Sequence, residues 1–398
     1  MDAREPSRRG VSAAAPATGL DVDIAVVGGG PVGCAAALLL ERAGARVALV
    51  DAREWAQPPR DPRLLALSWG SRLLLEQAGA WRLLGGTTPI ETVHVSEAGR
   101  FGHTLLTPAD AGVPTLGYVV EFGDVLAALR ERLRQSAVAV SDGCTVDAIA
   151  HAPDAITVDG PRPIRARLAV LADGGAHLES LGFEIAERHY RQAALVARVA
   201  TDTPSRGRAY ERFTPDGPVA LLPCGNRWGL VWTAPPEQAE ALRDLPDPAF
   251  LAALQRRFGE RAGRFTAVQE RSAYPLSLRW ARDPVGERCV LIGNAAHALH
   301  PVAGQGLNLG LRDAAGLAEL AVRTSPAEWG SASWLARYRA ARRVDVGAGI
   351  AVTDALVRVF SNDFLPLRVL RDFGLGALGC VKPARRFLAR RMIFGTRA

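Results

Sequence analysis

The stretch LIGNAAHALHPVAGQGLNLGLRD at 291–313 packs an amide, two imidazoles, a proline and a Gly-Gln-Gly turn into one short segment. Gly304 and Gly306, on either side of Gln305, keep side chains away from a bound molecule. A helix starting near Gly306 would point the N–H groups of Leu307 and Asn308 outward, where they can hold a developing negative charge. Pro301 has a fixed φ and no N–H, so it makes a rigid wall beside such a site. His300 adjoins it and is the histidine expected to face a substrate, whereas His297, on an Ala-Ala-His turn, reads as a structural hydrogen-bonding residue. No HxxxH, HxxE or cysteine pair clusters in the chain, so no metal site is expected, and no catalytic base stands out by its spacing.

Two further segments need the same treatment. DIAVVGGGPVGCAAALLLERAGARVALVD reads as strand, glycine turn, helix and second strand, closing on Asp51. Gly28, Gly30 and Gly33 satisfy GxGxxG in the context that gives it meaning, with Pro31 and Val32 completing the loop. The first glycine permits the tight turn, the second lets backbone approach a pyrophosphate, and the third lets helix and strand pack closely. Asp51, about 20 residues on, can accept hydrogen bonds from an adenosine ribose. These residues leave NAD and FAD both open. RARLAVLADGG at 165–175 is an apolar strand ending in Ala172-Asp173-Gly174.

The elements that position these groups follow from the pattern. Between the second and third motifs, the runs ARVATDT, PVALLPC and WGLVWTA read as antiparallel strands, with turns at Thr214 to Pro218 and at Gly225-Asn226. Such a sheet would roof the ligand site, with Phe213, Leu221, Pro223, Trp232 and Tyr274 as candidate apolar lining.

The chain has 398 residues, enough for two closely joined domains, and 48% hydrophobic with 22% charged residues describes a globular protein. No run approaches the roughly 18 apolar residues of a membrane span. Residues 1–20 read as a disordered tail without an export signal. Cys34, Cys144, Cys224, Cys289 and Cys380 are scattered and odd in number, which fits a reducing cytoplasm better than a disulfide framework. The net charge of +7 is spread along the chain, so no nucleic-acid partner is expected. In PARRFLARRMIF near the C-terminus, arginines alternate with apolar residues at helical spacing. That segment reads first as a packed terminal helix and second as a helix lying peripherally on an anionic membrane.

Taken together, GGGPVG, Ala172-Asp173-Gly174 and GNAAHALHPVAGQGLNLGLRD resemble the flavoprotein aromatic hydroxylases, FAD-dependent monooxygenases of a single chain. Within that family the chain is most similar to the ubiquinone-biosynthesis hydroxylases, on the 2-polyprenyl-6-methoxyphenol hydroxylase branch. DPRLLALSWGSRLLLEQAGAW, TVHVSEAGRFG, RAYERFTPDGPVALLP, RSAYPLSL and YRAARRVDVGAGIAVTDALVRVF extend the likeness from about Asp21 to the C-terminal region.

The resemblance implies an α/β fold: a Rossmann-like FAD-binding domain of the three-layer ββα type, an inserted antiparallel-sheet substrate domain, and C-terminal helices. The FAD domain would comprise 21–90, 121–183 and 271–335, the substrate sheet 91–120 and 184–270, and the helical region 336–398. By the same likeness, Gly28, Gly30 and Gly33 with Pro31 and Val32 would hold the FAD pyrophosphate and Asp51 the ribose. Arg63 would lie near the flavin end, and Asp173 and Gly174 would serve both FAD and NAD(P)H. Asn294 would meet the ribityl chain, the turn from Gly304 through Gln305, Gly306 and Leu307 to Asn308 the flavin ring, and Pro301 the reactive flavin carbon. The departure is Asn294, where most of the family carries aspartate; an amide still accepts through its carbonyl but loses the charge and gains a donor.

The implied reaction uses NAD(P)H, O2 and a flavin hydroperoxide to hydroxylate a phenolic ring, the substrate being 2-polyprenyl-6-methoxyphenol and the product a 1,4-benzoquinol. The implied partners are the prenylated phenol and other ubiquinone-synthesis proteins, with peripheral contact at the inner face of the plasma membrane. Two alternatives stay open: the same chemistry on a soluble aromatic of secondary metabolism, and a catalytically silent subunit of a quinone-synthesis assembly. A flavin halogenase is disfavoured, because its WxWxIP signature is absent.

Overall fold

A computed structural model describes residues 20–56, 61, 63–100, 102–299, 304–360 and 381–395. The strand Ile24–Val27 leads through the glycine turn into the helix Pro31–Arg42 and back into Val47–Val50, which pairs with it in parallel. On its other side Ile24–Val27 pairs in parallel with Leu168–Leu171, which pairs in turn with Cys289–Leu291. The three motifs therefore end at neighbouring strand tips of one six-stranded sheet, although they are far apart in sequence. These strands are buried along their whole length, as apolar runs covered on both faces should be.

The helices Pro31–Arg42, Phe122–Arg134 and Gln305–Val322 pack with Ile24, Val26 and Leu49 on one face. On the other face a small antiparallel sheet, with strands Ala148–His151, Ile156–Asp159 and Ile164–Ala166, packs against Ala25, Val27 and Leu171. This is the three-layer ββα arrangement implied by the resemblance.

A second sheet has eight strands, in the order His297–Ala298, Phe265–Ala281, Ile185–Thr201, Arg227–Ala234, Val219–Cys224, Arg208–Phe213, Thr92–Glu97 and His103–Leu106. All its pairings are antiparallel except that of Arg208–Phe213 with Thr92–Glu97. Ile185–Thr201 and Phe265–Ala281 run 17 residues each, and 271 falls inside the second of these strands. Their pairing breaks register between His189 and Gln192, where Arg191 takes a φ of 53°. The helices Pro236–Asp244 and Asp247–Phe258 cover one face of this sheet.

The helix Ala332–Phe360 packs along Gln305–Val322, and the helix Lys382–Phe394 packs against the short helix Pro108–Ala111 and the helix Trp69–Gln77. Arg385 Nε binds Asp110 Oδ1 at 2.7 Å, and Ser68 Oγ donates to the Ile393 carbonyl at 3.0 Å. A Cβ on Gly70 would stand 2.5 Å from that same carbonyl oxygen, so the last helix lies directly against backbone.

Candidate functional site

The glycine loop separates three kinds of backbone demand. Gly28 has a φ of 105°, and a Cβ there would lie 2.5 Å from the Ala172 carbonyl carbon. A Cβ on Gly33 would lie 1.9 Å from the Gly28 carbonyl oxygen, so this glycine lets helix meet strand. Around Gly30 a Cβ would meet nothing within 4 Å, because the residue borders an open cavity. Gly30 is also the N-cap of Pro31–Arg42 and has no side chain to satisfy the first-turn N–H groups, which suits an anion.

Asp51 lines the same cavity. Its Oδ2 accepts from Trp55 Nε1 at 2.7 Å and lies 3.4 Å from Arg130 Nη2, whose guanidinium sits 4.6 Å over the Trp55 ring. Among the described residues Oδ1 receives only a long contact from the Arg53 amide at 3.4 Å, which leaves it available to a ribose hydroxyl. Asp173 accepts from the Gly175 amide at 2.9 Å and faces His177 Nδ1 at 2.7 Å, while Arg279 binds the Gly174 carbonyl at 2.7 Å. Asp173 and Gly174 both border the cavity. Arg63 lies on its wall, paired with Asp61 at 2.6 Å and 4.9 Å from the Phe122 ring centroid.

The 291–313 segment turns on a buried carboxylate. Asp313 receives the Gly293 amide at 3.1 Å, His297 Nε2 at 2.6 Å, and Arg342 Nε and Nη2 at 2.9 and 2.7 Å. Burial would raise the Asp313 carboxyl, but the charges of His297 and Arg342 outweigh it and hold it at about 2. Arg342 also binds Asp345, which holds Arg312 Nε at 2.8 Å on the cavity wall. His297 is thus a core hydrogen-bonding residue, and Asn294, three residues earlier, is exposed on the cavity side.

Gly304, with a φ of 59°, caps a helix that begins at Gln305, one residue before the expected start. The first-turn residues that border the cavity are therefore Gln305, Gly306 and Leu307. Asn308 does different work. Its amide is buried, accepting from the Ser68 N–H at 2.9 Å and donating to the Ala66 and Gly304 carbonyls at 2.9 and 2.7 Å. It fixes the helix start to the strand Leu64–Ser68.

The eight-stranded sheet divides the expected lining. Phe213 borders the cavity. Leu221 and Trp232 point the other way, into the core under Pro236–Asp244 and Asp247–Phe258, and Trp232 packs on Phe250 with centroids 6.1 Å apart. Pro223 has the same strand parity as Leu221, and Tyr274 is 44% exposed; neither borders the cavity. The side chains that do so are the alternate ones, Ala220, Leu222, Val231 and Thr233, joined by Val93, Val95 and Leu106. His300 and Pro301 lie outside the described residues.

The motifs did not place three features at the site. Arg130 and Trp55 grip Asp51, and the helix Lys382–Phe394 adds Leu388, Arg391 and Met392 to the cavity wall. Glu211 stands on the sheet face of the cavity, and Phe213, two residues along the same strand, was the clue to its direction.

The cavity-facing groups among these meet in one cavity of about 1170 Å³ that runs from the glycine loop to the sheet face. Its size exceeds the roughly 300–1,000 Å³ of a site for one small molecule, so it has room for a nucleotide cofactor and a second, apolar ligand. Open space beside Gly30, Gly174 and Gly306, where side chains are missing, fits a cofactor laid along the strand tips. Among the described residues no group of three or more His, Cys, Asp or Glu is arranged to hold a metal ion.

Residues 21–351 match the family model described as FAD binding domain. The chain is 38% identical over 407 residues to ubiquinone hydroxylase UbiL of Rhodospirillum rubrum, covering 97% of this chain and 95% of that protein. It is 32% identical over 376 residues to 3-demethoxyubiquinol 3-hydroxylase of Escherichia coli, covering 90% and 95%. Among solved structures, p-nitrophenol 4-monooxygenase PnpA of Pseudomonas putida superposes with a TM-score of 0.75 at 21% identity, covering 94% of this chain and 99% of that one. HpxO of Klebsiella pneumoniae, solved with FAD, gives 0.74 at 17% identity, covering 95% and 100%. At these identities the structural likeness speaks to the fold.

Proposed function

The chain belongs to the FAD binding domain family of aromatic monooxygenases, and from that premise we propose that it hydroxylates 2-polyprenyl-6-methoxyphenol to 2-polyprenyl-6-methoxy-1,4-benzoquinol in ubiquinone biosynthesis. When bound, FAD supplies the transfer of electrons from NAD(P)H and the activation of O2. The chain supplies the rest. Gly30 and the first turn of Pro31–Arg42 receive the pyrophosphate, and Asp51, held by Trp55 and Arg130, offers Oδ1 to the ribose. Asn294 borders the path of the ribityl chain, and the Gln305, Gly306 and Leu307 amides stabilise negative charge on the ring. Arg63 and Asp173 stand where a nicotinamide nucleotide would enter.

The observation that carries the substrate reading is the continuity of the cavity. The nucleotide loop opens without a partition onto a sheet face of Val93, Val95, Leu106, Leu222 and Val231, and onto Leu388 and Met392 of the last helix. A wall of this kind suits an isoprenoid tail and keeps water from the ring. The relatives named for ubiquinone hydroxylation support the same class of substrate.

No helix among the described residues is long and apolar enough to cross a membrane. The outer face of Lys382–Phe394 presents Lys382, Arg386 and Arg390 around Phe387, which is 71% exposed. We read this face as a peripheral contact with an anionic bilayer, next to the wall through which a membrane-borne phenol would enter. The test is to supply the FAD-loaded protein with NAD(P)H and a short-chain prenylated methoxyphenol. Substrate-dependent O2 uptake with a quinol product is expected, and NAD(P)H oxidation without a hydroxylated product would refute the reading.

A further inference from the structure

We propose that Glu211 is the catalytic base that takes the proton from the phenolic hydroxyl of the substrate. The inference rests on the phenol-hydroxylation reading above and adds the group that activates the ring.

Glu211 lies in the strand Arg208–Phe213, where Ala209, Glu211 and Phe213 alternate onto the cavity face. Tyr210 turns its ring to the opposite layer, packing on Trp228 and Phe258 and donating to the Arg261 carbonyl at 2.9 Å. Register sets the neighbours of Glu211: Val95 on one adjoining strand and Ala220 on the other, with Thr104 beyond the first and Val231 beyond the second. All four border the cavity, and none is titratable.

The carboxyl is therefore the acidic group of an otherwise apolar and hydroxyl-bearing row. Among the described residues it meets no hydrogen-bond donor and no counter-charge. The charged and titratable groups elsewhere on the wall, Asp51, Arg53, Arg63, Asp173, His177, Arg312, Asp345 and Arg391, do not enter its balance. Burial alone pushes it up to about 7, close to the pH at which a general base works best. An unpaired carboxyl in such a place is costly to the fold and useful to a ligand that brings its own hydroxyl.

The step balances simply. The Glu211 carboxylate accepts the phenolic proton, giving a carboxylic acid and a phenolate, and no electrons pass through the side chain. The negative charge spreads to the ring carbons ortho and para to the oxygen, and the para carbon is the one that a 1,4-benzoquinol product has gained oxygen at. Once oxygen is delivered, the ring C–H proton leaves to water and Glu211 returns its proton to the phenolic oxygen.

The experiment uses the FAD-loaded protein and 2-methoxy-6-prenylphenol as probe, comparing wild type with Glu211→Gln. Ionisation of the bound probe is read from its ultraviolet difference spectrum against pH. Wild type is expected to ionise it near neutrality, well below the ~10 of a free phenol. The Gln variant is expected to bind the probe, leave it protonated, and lose about 10²- to 10⁴-fold in kcat with little change in KM. Its melting temperature should exceed that of wild type by more at pH 8 than at pH 5. Below the unfolded value near 4.5 the wild-type group costs nothing, and the penalty grows as pH rises through the folded value of about 7.

A Gln variant with the wild-type phenolate spectrum and kcat overturns the assignment while leaving the hydroxylase reading intact. If wild type neither binds nor turns over the probe, the hydroxylase reading falls first and this inference with it. Should the Gln variant fail to retain FAD, Glu211→Asp takes its place: it must ionise the probe near neutrality, and a titration like that of the free phenol overturns the proposal.

Discussion

His297 Nε2 and Asp313 Oδ2 lie 2.6 Å apart, with 1% and 2% of their side-chain surfaces left to solvent. The same carboxylate holds the Gly293 amide and Arg342, so it ties the loop before Asn294 to two helices. Removing one member of a buried charge pair costs about 3–5 kcal/mol. Asp313→Asn is expected to lose stability of that order in denaturant unfolding and to bind FAD more weakly. The wild-type contribution also has a pH signature: it is present above the unfolded value near 3.8 and is lost as pH falls through about 2. Denaturation midpoints should therefore drop between pH 4 and 2 in wild type, and less steeply in the variant.

The glycine loop separates a ligand role from a folding role. Gly30→Ala adds a methyl to open space, so the cofactor-free protein should keep its stability to within about 0.5 kcal/mol. Its FAD affinity, measured by fluorescence quenching, should fall on the order of 10-fold or more. Gly33→Ala drives its methyl into the Gly28 carbonyl and should impair folding itself.

Adjacent leucines on one strand should behave oppositely. Leu221 is wholly buried under the helices, and Leu221→Ala is expected to cost about 2–5 kcal/mol of stability without a specific change in KM. Leu222 faces the cavity. Leu222→Ala should cost less stability and raise KM for a prenylated phenol on the order of 10-fold, since about 0.8 kcal/mol accompanies each buried methylene. Urea unfolding and steady-state kinetics of the two variants distinguish the faces.

The last helix offers a surface test. Arg386→Glu with Arg390→Glu should weaken co-sedimentation with phosphatidylglycerol vesicles, each basic residue being worth about 1 kcal/mol near such a surface. Turnover of a short-tailed phenol in solution should stay within about twofold, because both side chains point away from the cavity. Unchanged sedimentation would remove the membrane contact.

Legibility in the sequence followed physical uniqueness. The βαβ unit around Gly28, the Ala172-Asp173-Gly174 turn and the 291–313 segment could be read directly, since few backbones other than ligand loops need such glycines. The sheet faces could not. Helices cover one side of the eight-stranded sheet and an apolar cavity lies on the other, so both parities carry hydrophobic residues and nothing in the pattern tells Leu221 from Leu222. The side chain of Asn308 was equally illegible: its place in the turn drew attention to its backbone N–H, while its side-chain amide binds Ser68, Ala66 and Gly304, residues that local spacing does not connect. Arg130 reaches Asp51 from a helix 79 residues away, a pairing that local spacing cannot reveal.

The docking of Lys382–Phe394 onto Asp110, Ser68 and Gly70 has a consequence for how reducing power is used. A chain ending before Lys382 would keep its glycine loop and both sheets, and so could still draw electrons from a nicotinamide. With Leu388 and Met392 gone, the cavity would lose part of its wall to bulk water, and on the proposed hydroxylase reading those electrons would drain into hydrogen peroxide instead of into a carbon–oxygen bond. On that reading the last helix would govern the yield of the reaction more than its occurrence.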